Sequence, residues 1–240
     1  MRSGLFKLVF YTWSTVFCIL FLPTMLLPRK YLVKGQTLWS HSVVFLTRVI
    51  GGIRLEVRGR KNLPAEPSIV AMKHQSAFDT FIIHSLFKDP AIVMKAELLR
   101  IPIYGVFCRK SGMIPIDRSA GASSLRKMMK ASGKALAAGR PVIIFPEGTR
   151  TLPGEHHPYQ PGISGLYRHL DKPVVPVAVN SGLYWPKSGK VRPGGTIVIE
   201  FLEPIAPGMG KTEFLPLLEQ QIESASQRLL PDPSGRENVT

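Results

Sequence analysis

The sequence is short of acidic residues, of cysteine and of long uncharged runs. Two cysteines among 240 residues are too few for a disulfide scaffold or a Cys-rich zinc module. Charged residues make up 20% and hydrophobic residues 45%, which excludes a disordered chain. Only one uncharged run, Leu8–Leu27, is long enough to cross a bilayer, so a polytopic transporter is excluded. The length suits one sizeable α/β domain with an appendage.

The shortage of acidic residues makes the protein strongly basic. There are 16 Asp and Glu against 31 Lys and Arg, giving a net charge of +15 and an isoelectric point near 10.1. Such a surface favours anions, namely nucleic acid, anionic lipid headgroups or phosphorylated substrates. The sequence has no helix-turn-helix or base-stacking sheet pattern, which disfavours nucleic acid.

No acidic residue precedes Glu56, and the uncharged run lies within this basic stretch. The 20 residues of Leu8–Leu27 would form a helix about 30 Å long, roughly one hydrocarbon core. Pro-Arg-Lys-Tyr follows the run, whereas a cleaved signal peptide would have small residues there. Basic residues flank the run on both sides, which favours a segment that enters and leaves the same leaflet.

A second N-terminal segment has helical periodicity. Its apolar positions recur at steps of three and four: Trp39, Val43, Leu46, Ile50 and Ile53. Thr47, Arg48 and Gly51 fall on the other faces. This pattern predicts an amphipathic helix that lies either in the membrane interface or against the protein core. We therefore interpret residues 1–54 as a membrane-anchoring helical segment.

The remaining chain alternates short β-branched runs with helical stretches. The predicted strands are Ile53–Arg58, Ser68–Met72, Ala91–Met94, Met113–Ile116, Pro141–Phe145, Val174–Val179 and Thr196–Phe201. Helices are predicted at Ser119–Ala138 and Phe214–Leu230, with a long loop at Leu152–Gly165. The pattern predicts an α/β domain over residues 55–230, with a mostly parallel or mixed central sheet flanked by helices, and a disordered tail over 231–240.

A histidine and an aspartate stand where a strand passes into a helix. His74 follows the strand that ends at Met72, and Asp79 falls in the first turns of the helix that begins near Ala77. Sites in open α/β sheets lie at this end of a strand. A carboxylate there can orient the imidazole, which leaves the other ring nitrogen free to take a proton from a hydroxyl. A histidine that only completes a turn is the alternative interpretation.

Two further strands end in charged residues. Gly112–Arg118 ends in Asp117 and Arg118, and Phe145–Arg150 contains Glu147, Gly148, Thr149 and Arg150. An arginine offers a planar fork suited to phosphate, and Gly148 allows close backbone approach. Surface salt bridges would give the same local patterns. If the three strand ends converge, they form one base with two anion-binding arginines.

These residues resemble the glycerolipid acyltransferases, specifically the 1-acyl-glycerol-3-phosphate (lysophosphatidic acid) acyltransferases. The four blocks of that family are matched in order by His74 and Asp79, by Gly112–Arg118, by Phe145–Arg150 and by Val174–Ala178. Lys95–Leu98 and Pro102 resemble the segment between the first two blocks. In the loop after the third block, Tyr159-Gln160-Pro161-Gly162 replaces the Phe-Lys-x-Gly of many members, which removes one anion contact.

The resemblance implies transfer of a fatty acyl group from acyl-CoA or acyl-carrier protein to the free hydroxyl of 1-acyl-glycerol-3-phosphate. It implies His74 as the general base and Asp79 as its orienting partner, with no metal, no cofactor and no covalent acyl-enzyme. Arg118 and Arg150 would bind phosphate, in a pocket shaped by Glu147, Gly148 and Thr149. A two-helix membrane element is frequent in the family. The expected location is a bacterial inner membrane, with the catalytic domain cytoplasmic.

Three other functions stay open from the sequence. The nearest is acyl transfer to another lysolipid, for example a lyso-aminolipid that lacks the glycerol phosphate. A metal-dependent hydrolase would use His74, Asp79, His156 and His157, although their spacing does not match zinc patterns. The third is a basic protein that binds a membrane surface without catalysis.

Overall fold

Seven strands form one mixed sheet in the order β1-β7-β6-β2-β5-β3-β4. They are β1 (Arg54–Arg58), β2 (Ile69–Met72), β3 (Ala91–Lys95), β4 (Ile114–Ile116), β5 (Val142–Ile144), β6 (Val174–Val179) and β7 (Thr196–Phe201). The computed structural model describes residues 2–231, so the tail predicted from residue 231 lies outside the described residues except for Pro231. All seven predicted strands are confirmed within one residue at each end.

The direction of the strands sets the position of the site. Strands β6, β2, β5, β3 and β4 run parallel, while β7 pairs antiparallel with β6 and β1 follows β7. The sheet is therefore mixed, as predicted. The carboxyl ends of β2, β4 and β5 lie on one edge, which brings the three charged strand ends to the same side.

Eight α-helices flank the sheet in the described part of the chain. They are α1 (Arg2–Phe21), α2 (Arg29–Val49), α3 (Ala77–Phe81), α4 (Ile83–Leu86), α5 (Tyr104–Ser111), α6 (Gly121–Ala137), α7 (Pro161–Leu170) and α8 (Lys211–Arg228). The predictions of α6 and of the last helix are confirmed. The loop predicted at Leu152–Gly165 is wrong in its last five residues, because α7 begins at Pro161. Proline suits a first helical position, since its fixed φ is helical and its missing N–H has no partner there.

The sheet has a separate apolar core on each face. One core joins the sheet to the N-terminal helices and to α3 and α4, with Phe6, Val43, Phe78 and Ile82 fully buried. The other joins it to α6, α7 and α8 through residues such as Met128, Leu166 and Phe214. Nearly continuous burial along β2, β5 and β6 explains why these strands lack alternating polarity.

Helices α1 and α2 form an antiparallel hairpin, joined by a 3-10 turn at Leu22–Met25. The indole of Trp13 donates to Ser42 Oγ at 2.7 Å, and the indole of Trp39 donates to Ser14 Oγ at 3.3 Å, so later residues of one helix meet earlier residues of the other. By length and composition, Arg2–Met25 is the one segment among the described residues that could cross a membrane.

The hairpin packs against the α/β domain through buried residues of both helices. Phe6 and Phe10 of α1 pack edge-on against Trp185, with ring centroids 5.0 and 5.3 Å apart. In α2 the buried face includes Thr47, which the sequence pattern places wrongly on an outward face. The Thr47 hydroxyl donates to the Val43 carbonyl at 2.8 Å, so its hydrogen-bonding need is met within the helix and the residue can be buried.

Candidate active site

His74 and Asp79 form a hydrogen-bonded pair at the carboxyl end of β2. The His74 Nδ1 atom lies 3.1 Å from Asp79 Oδ2, and the imidazole is only 14% exposed. Between them Ser76 caps α3, because its hydroxyl accepts the Phe78 amide at 3.0 Å. The cap begins a helix immediately after the strand, so that Asp79 turns back toward His74.

Both carboxylate oxygens of Asp79 accept hydrogen bonds. Its Oδ2 accepts the backbone amides of Gln75 and Ser76, both at 2.7 Å, and its Oδ1 accepts the hydroxyl of Ser181. The carboxyl group is fully buried. Because Asp79 already accepts these bonds, His74 Nδ1 must carry the hydrogen of their shared bond. This tautomer leaves His74 Nε2 unprotonated and able to act as a base.

The third block holds His74 in place from the neighbouring strand. The His74 ring stacks on Phe145, with centroids 4.1 Å apart and planes 25° apart. The His74 amide donates to Glu147 Oε2 at 3.2 Å, and its carbonyl accepts the Thr151 amide at 2.9 Å. Strands β2 and β5 are adjacent in the sheet, which is why residues more than 70 positions apart share these bonds.

Glu147 lies beneath the cavity wall rather than in the pocket that the sequence assigns to it. Its side chain is fully buried and pairs with the equally buried Lys73 ammonium, 3.2 Å from Nζ to Oε1. Lys73 also binds Glu223 of α8 at 2.7 Å, and the Tyr159 hydroxyl donates to Glu223 at 2.9 Å. Burial raises the pKa of Glu147 to about 6, while Lys73 opposes that rise. The carboxylate therefore supports the His74 backbone.

Arg118 and Arg150 lie at one apolar cavity together with His74. The Arg118 guanidinium donates through Nη2 to the Gly148 carbonyl at 2.6 Å, which joins the second and third blocks. Gly148 has a φ of +67°, a left-handed conformation that favours glycine, and a Cβ atom there would lie 1.9 Å from Arg118 Nη2 and push the guanidinium away from the Gly148 carbonyl. The Arg150 guanidinium makes no hydrogen bond or ion pair with the rest of residues 2–231 and is open to a ligand.

The cavity is large and mostly apolar. It encloses about 800 Å³, and its walls come from the hairpin, α3, α5, α6 and the ends of β3 and β5. Phe17, Phe21 and Trp39 contribute aromatic walls from the hairpin, and Gly148 and Thr149 of the third block also line it. Its polar lining includes His74, Arg118 and Arg150. The shape and lining suit a molecule with a charged head and long apolar chains.

Several supporting residues have no signal in the sequence. Ser181 reaches Asp79 from 102 positions away, and Glu223 reaches Lys73 from 150 positions away. Neither belongs to a motif, so only the fold brings them in. The imidazole of His156 likewise bonds a distant residue, Glu219 of α8, and is about half exposed.

The residues of the hydrolase alternative do not converge on one point. In residues 2–231 no group of three or more His, Cys, Asp and Glu side chains lies close enough to hold a metal ion. His74 is bound to Asp79, whereas His156 is bound to Glu219 on α8. The expectation that catalysis needs neither metal nor cofactor stays a prediction.

The fold and site together define an α/β enzyme in which a His–Asp pair lies at a lipid-sized cavity bordered by arginines. A family model described as Acyltransferase matches residues 54–180. Over 203 residues the chain is 36% identical to the 1-acyl-sn-glycerol-3-phosphate acyltransferase of Pseudomonas aeruginosa, covering 83% of this chain and 78% of that protein. The chain therefore belongs to the acyltransferase family.

More distant comparisons agree. The 1-acyl-sn-glycerol-3-phosphate acyltransferase alpha of Mus musculus is 29% identical over 210 residues, covering 84% of this chain and 72% of that protein. The crystal structure of the 1-acyl-sn-glycerophosphate (LPA) acyltransferase PlsC from Thermotoga maritima superposes with a TM-score of 0.80 over the whole of both chains. Its 22% identity makes this a likeness of fold. The resemblance seen in the four sequence blocks is confirmed.

Proposed function

We propose that this enzyme transfers a fatty acyl group from a thioester donor to the free hydroxyl of 1-acyl-glycerol-3-phosphate, giving phosphatidic acid for phospholipid synthesis. The observation that carries the proposal is the His74–Asp79 pair, which opens into an apolar cavity that Arg118 and Arg150 also line. The family implies a lysophospholipid acceptor and an acyl donor. Acyl-CoA and acyl-carrier protein are the two donors to compare.

In this mechanism His74 Nε2 removes the proton from the acceptor hydroxyl as its oxygen attacks the thioester carbonyl. The new ester bond forms and the carbon–sulfur bond breaks, and the proton on His74 passes to the leaving thiolate. Asp79 stabilises the imidazolium formed between these two transfers. The cavity holds the acyl chains and excludes water, which would otherwise hydrolyse the thioester.

The test is acyl transfer by purified protein to a panel of lysolipids, with each donor in turn. Lysophosphatidate should be acylated with a higher kcat/KM than lysolipids that lack a phosphate monoester. A lyso-aminolipid that is the better acceptor would refute the assignment of the acceptor while leaving the acyl transfer intact.

Replacing Arg118 or Arg150 by alanine should each cost about 1.5–3 kcal/mol of charge-assisted bonding to the acceptor phosphate. That loss corresponds to roughly 10- to 150-fold in kcat/KM. It should appear mainly as a raised KM for lysophosphatidate, with the KM for the acyl donor little changed. Lysine at either position should restore only part of the lost kcat/KM, because a point charge cannot replace the two-pronged hydrogen bonding of a guanidinium group.

A substitution at the loop residue Gln160 should have the opposite effect to these alanine variants and tighten binding of the acceptor. It lines the same cavity, at the position where many family members carry lysine. Gln160→Lys should lower the KM for lysophosphatidate. If both alanine variants keep the wild-type KM, the arginines do not bind the phosphate, and a lysolipid without glycerol phosphate becomes the better acceptor.

We also propose that the enzyme works at the cytoplasmic face of a bacterial inner membrane, held in one leaflet by the hairpin. Because α1 packs along the domain through Phe6 and Phe10, it cannot leave the domain to cross the bilayer without losing these contacts. The outward side chains of α1 are large and apolar: Leu5, Leu8, Tyr11, Val16, Ile19 and Leu20. This face suits the acyl region of a leaflet.

Deleting residues 1–36 should release the protein from membranes or leave it insoluble, because the deletion uncovers the aromatic surface around Trp185. Flotation with liposomes measures the first outcome, and centrifugation measures the second. In sealed vesicles with the domain outside, protease should digest the whole intact chain. A short N-terminal fragment protected on the far side would mean that α1 spans the bilayer.

A further inference from the structure

Large apolar side chains are exposed on two parts of the described chain. One is the hairpin, and the other is the segment Ile101–Val106, here called the 101–106 segment. In this segment Ile101, Ile103, Tyr104 and Val106 are 47%, 41%, 47% and 48% exposed. Elsewhere in residues 2–231, Leu152 is the one large apolar residue exposed to this degree. Such clustering marks an interaction surface, whereas scattered apolar residues do not.

The segment is held rigidly in its protruding position. Gly105 packs so closely that a Cβ atom would lie 2.0 Å from the Leu99 carbonyl oxygen. Phe107 and Cys108, in the next turn of α5, are buried and fix that helix to the domain. Ile103 has a φ of +63°, a strained conformation for a β-branched residue, and its side chain is exposed. Backbone strain of this kind persists where a function requires it.

The 101–106 segment is continuous with the hairpin. Beyond it on α5, the Lys110 ammonium donates to the carbonyls of Thr24, Met25 and Leu27 at 2.9, 2.5 and 2.6 Å. This ties α5 to the hairpin turn, where Leu26 is 92% exposed. Tyr104 lines the same cavity as Phe17 and Phe21 of α1. The exposed apolar surface therefore passes from the hairpin to the 101–106 segment beside the cavity.

The charged residues that flank the segment most closely in the sequence are basic. Arg100 and Arg109 flank it and are both exposed, and no acidic residue lies between Glu97 and Asp117. Apolar side chains bordered by arginines are typical of a surface that enters the headgroup region of an anionic membrane. A partner protein with a folded apolar face would need no such positive border.

We propose that the 101–106 segment is a second membrane-contact element, which inserts Ile101, Ile103 and Val106 into the interface of an anionic bilayer. Together with the hairpin it seats the mouth of the cavity against the leaflet, so the acceptor slides from lipid to His74 without crossing water. The proposal rests on the proposed function in taking the acceptor from the membrane.

An environment-sensitive probe tests the contact without requiring turnover. In the full chain, Cys18→Ala and Cys108→Ala remove the native thiols, and one new cysteine is labelled with a nitrobenzoxadiazole dye. The labelled protein is then bound to nanodiscs that contain phosphatidylglycerol. With Ile103→Cys the emission should shift to shorter wavelength, and spin-labelled lipid should quench it several-fold more than aqueous iodide does. The control is Thr212→Cys, an exposed position on α8 across the sheet, where iodide should quench more.

Two results would overturn the proposal. One is iodide quenching at position 103 equal to that at position 212. The other is a wavelength shift at position 103 that appears without lipid and grows with protein concentration, because the occupant would then be a second copy of the chain. Since neither readout depends on catalysis, a failure here leaves the proposed acyl transfer untouched.

A kinetic test separates membrane contact from damage to the site. The double variant Ile103→Asp, Val106→Asp should lose activity several-fold on lysophosphatidate presented in anionic vesicles. It should keep wild-type kcat/KM on a short-chain lysophosphatidate that stays monomeric in water. Equal losses on both forms of the acceptor would contradict a role in docking to lipid, as would no loss on either.

Discussion

Replacing His74 by alanine should lower kcat by roughly 10²–10⁴-fold or more, because the change removes the imidazole that Asp79 orients at the cavity. Asp79→Asn should lose most of the activity through a different route. An amide facing His74 Nδ1 no longer fixes the tautomer and cannot stabilise the imidazolium. Acyl transfer assayed with saturating lysophosphatidate and donor measures both effects.

The control for the first variant is His169→Ala, which removes an exposed histidine from α7. It should keep full activity, and His74→Ala should match the wild type in melting temperature and in binding to liposomes. Asp79→Asn, in contrast, leaves buried donors such as the Ser181 hydroxyl facing an amide, so its stability has to be measured beside its activity. Loss of activity in EDTA with recovery on adding Zn²⁺ would instead support the hydrolase alternative.

Replacing Lys73 by methionine should destabilise the folded protein by about 3–5 kcal/mol near pH 8, because it leaves Glu147 charged and unpaired in the interior. For a chain of this size the melting temperature should fall by roughly 6–20 °C, at about 2–4 °C per kcal/mol. The partial exposure of Glu223 allows that second carboxylate to turn toward water. Thermal unfolding followed by circular dichroism in detergent measures the change.

The loss should depend on pH in a defined direction. Burial already holds the pKa of Glu147 at about 6, above its unfolded value, and Lys73 is the group that opposes a further rise. Without Lys73 the pKa of Glu147 in the folded protein rises further above its unfolded value. The free energy of unfolding therefore falls as pH rises from the unfolded pKa to the folded pKa. The deficit of Lys73→Met should therefore be smaller near pH 5.5 than near pH 8.

The matched control is Lys172→Met, which removes the same ammonium from an exposed pair with Glu66. Surface pairs contribute about 0–1 kcal/mol, so this variant should melt close to the wild type at both pH values. If Lys73→Met behaves like Lys172→Met, the buried pair between Lys73 and Glu147 does not stabilise the fold as expected here.

The sheet could be predicted almost completely from the sequence. Its strands are buried on both faces, and such strands leave continuous runs of β-branched residues, as in Val174–Val179. The start of α7 could not be predicted in this way, because Pro161 lies among Pro, Gly and His residues that locally favour a loop. Thr47 was misplaced since periodicity assigns threonine by polarity, whereas its hydroxyl is satisfied within the helix.

The site was predictable only where its residues adjoin along the chain. His74 and Asp79 are five residues apart and meet through one capped turn, so a local pattern contains both. Ser181 and Glu223 arrive from distant elements, and nothing near them marks the connection. For Glu147 the motif could be recognised in the sequence, but the direction of its side chain could not. That side chain points to the buried Lys73 and not into the cavity.

The bond between Lys73 and Glu223 also bears on the order in which the protein is made. The hairpin is synthesised before the sheet, whereas Glu223 lies in α8, the last helix of the described residues. Strand β2, which precedes His74 by two residues, likewise pairs with β6 about a hundred residues later. A chain that stops before α8 would thus have the Lys73–Glu147 pair without the Glu223 carboxylate that completes it. Synthesis through α8 is required before the segment that carries His74 has its final support.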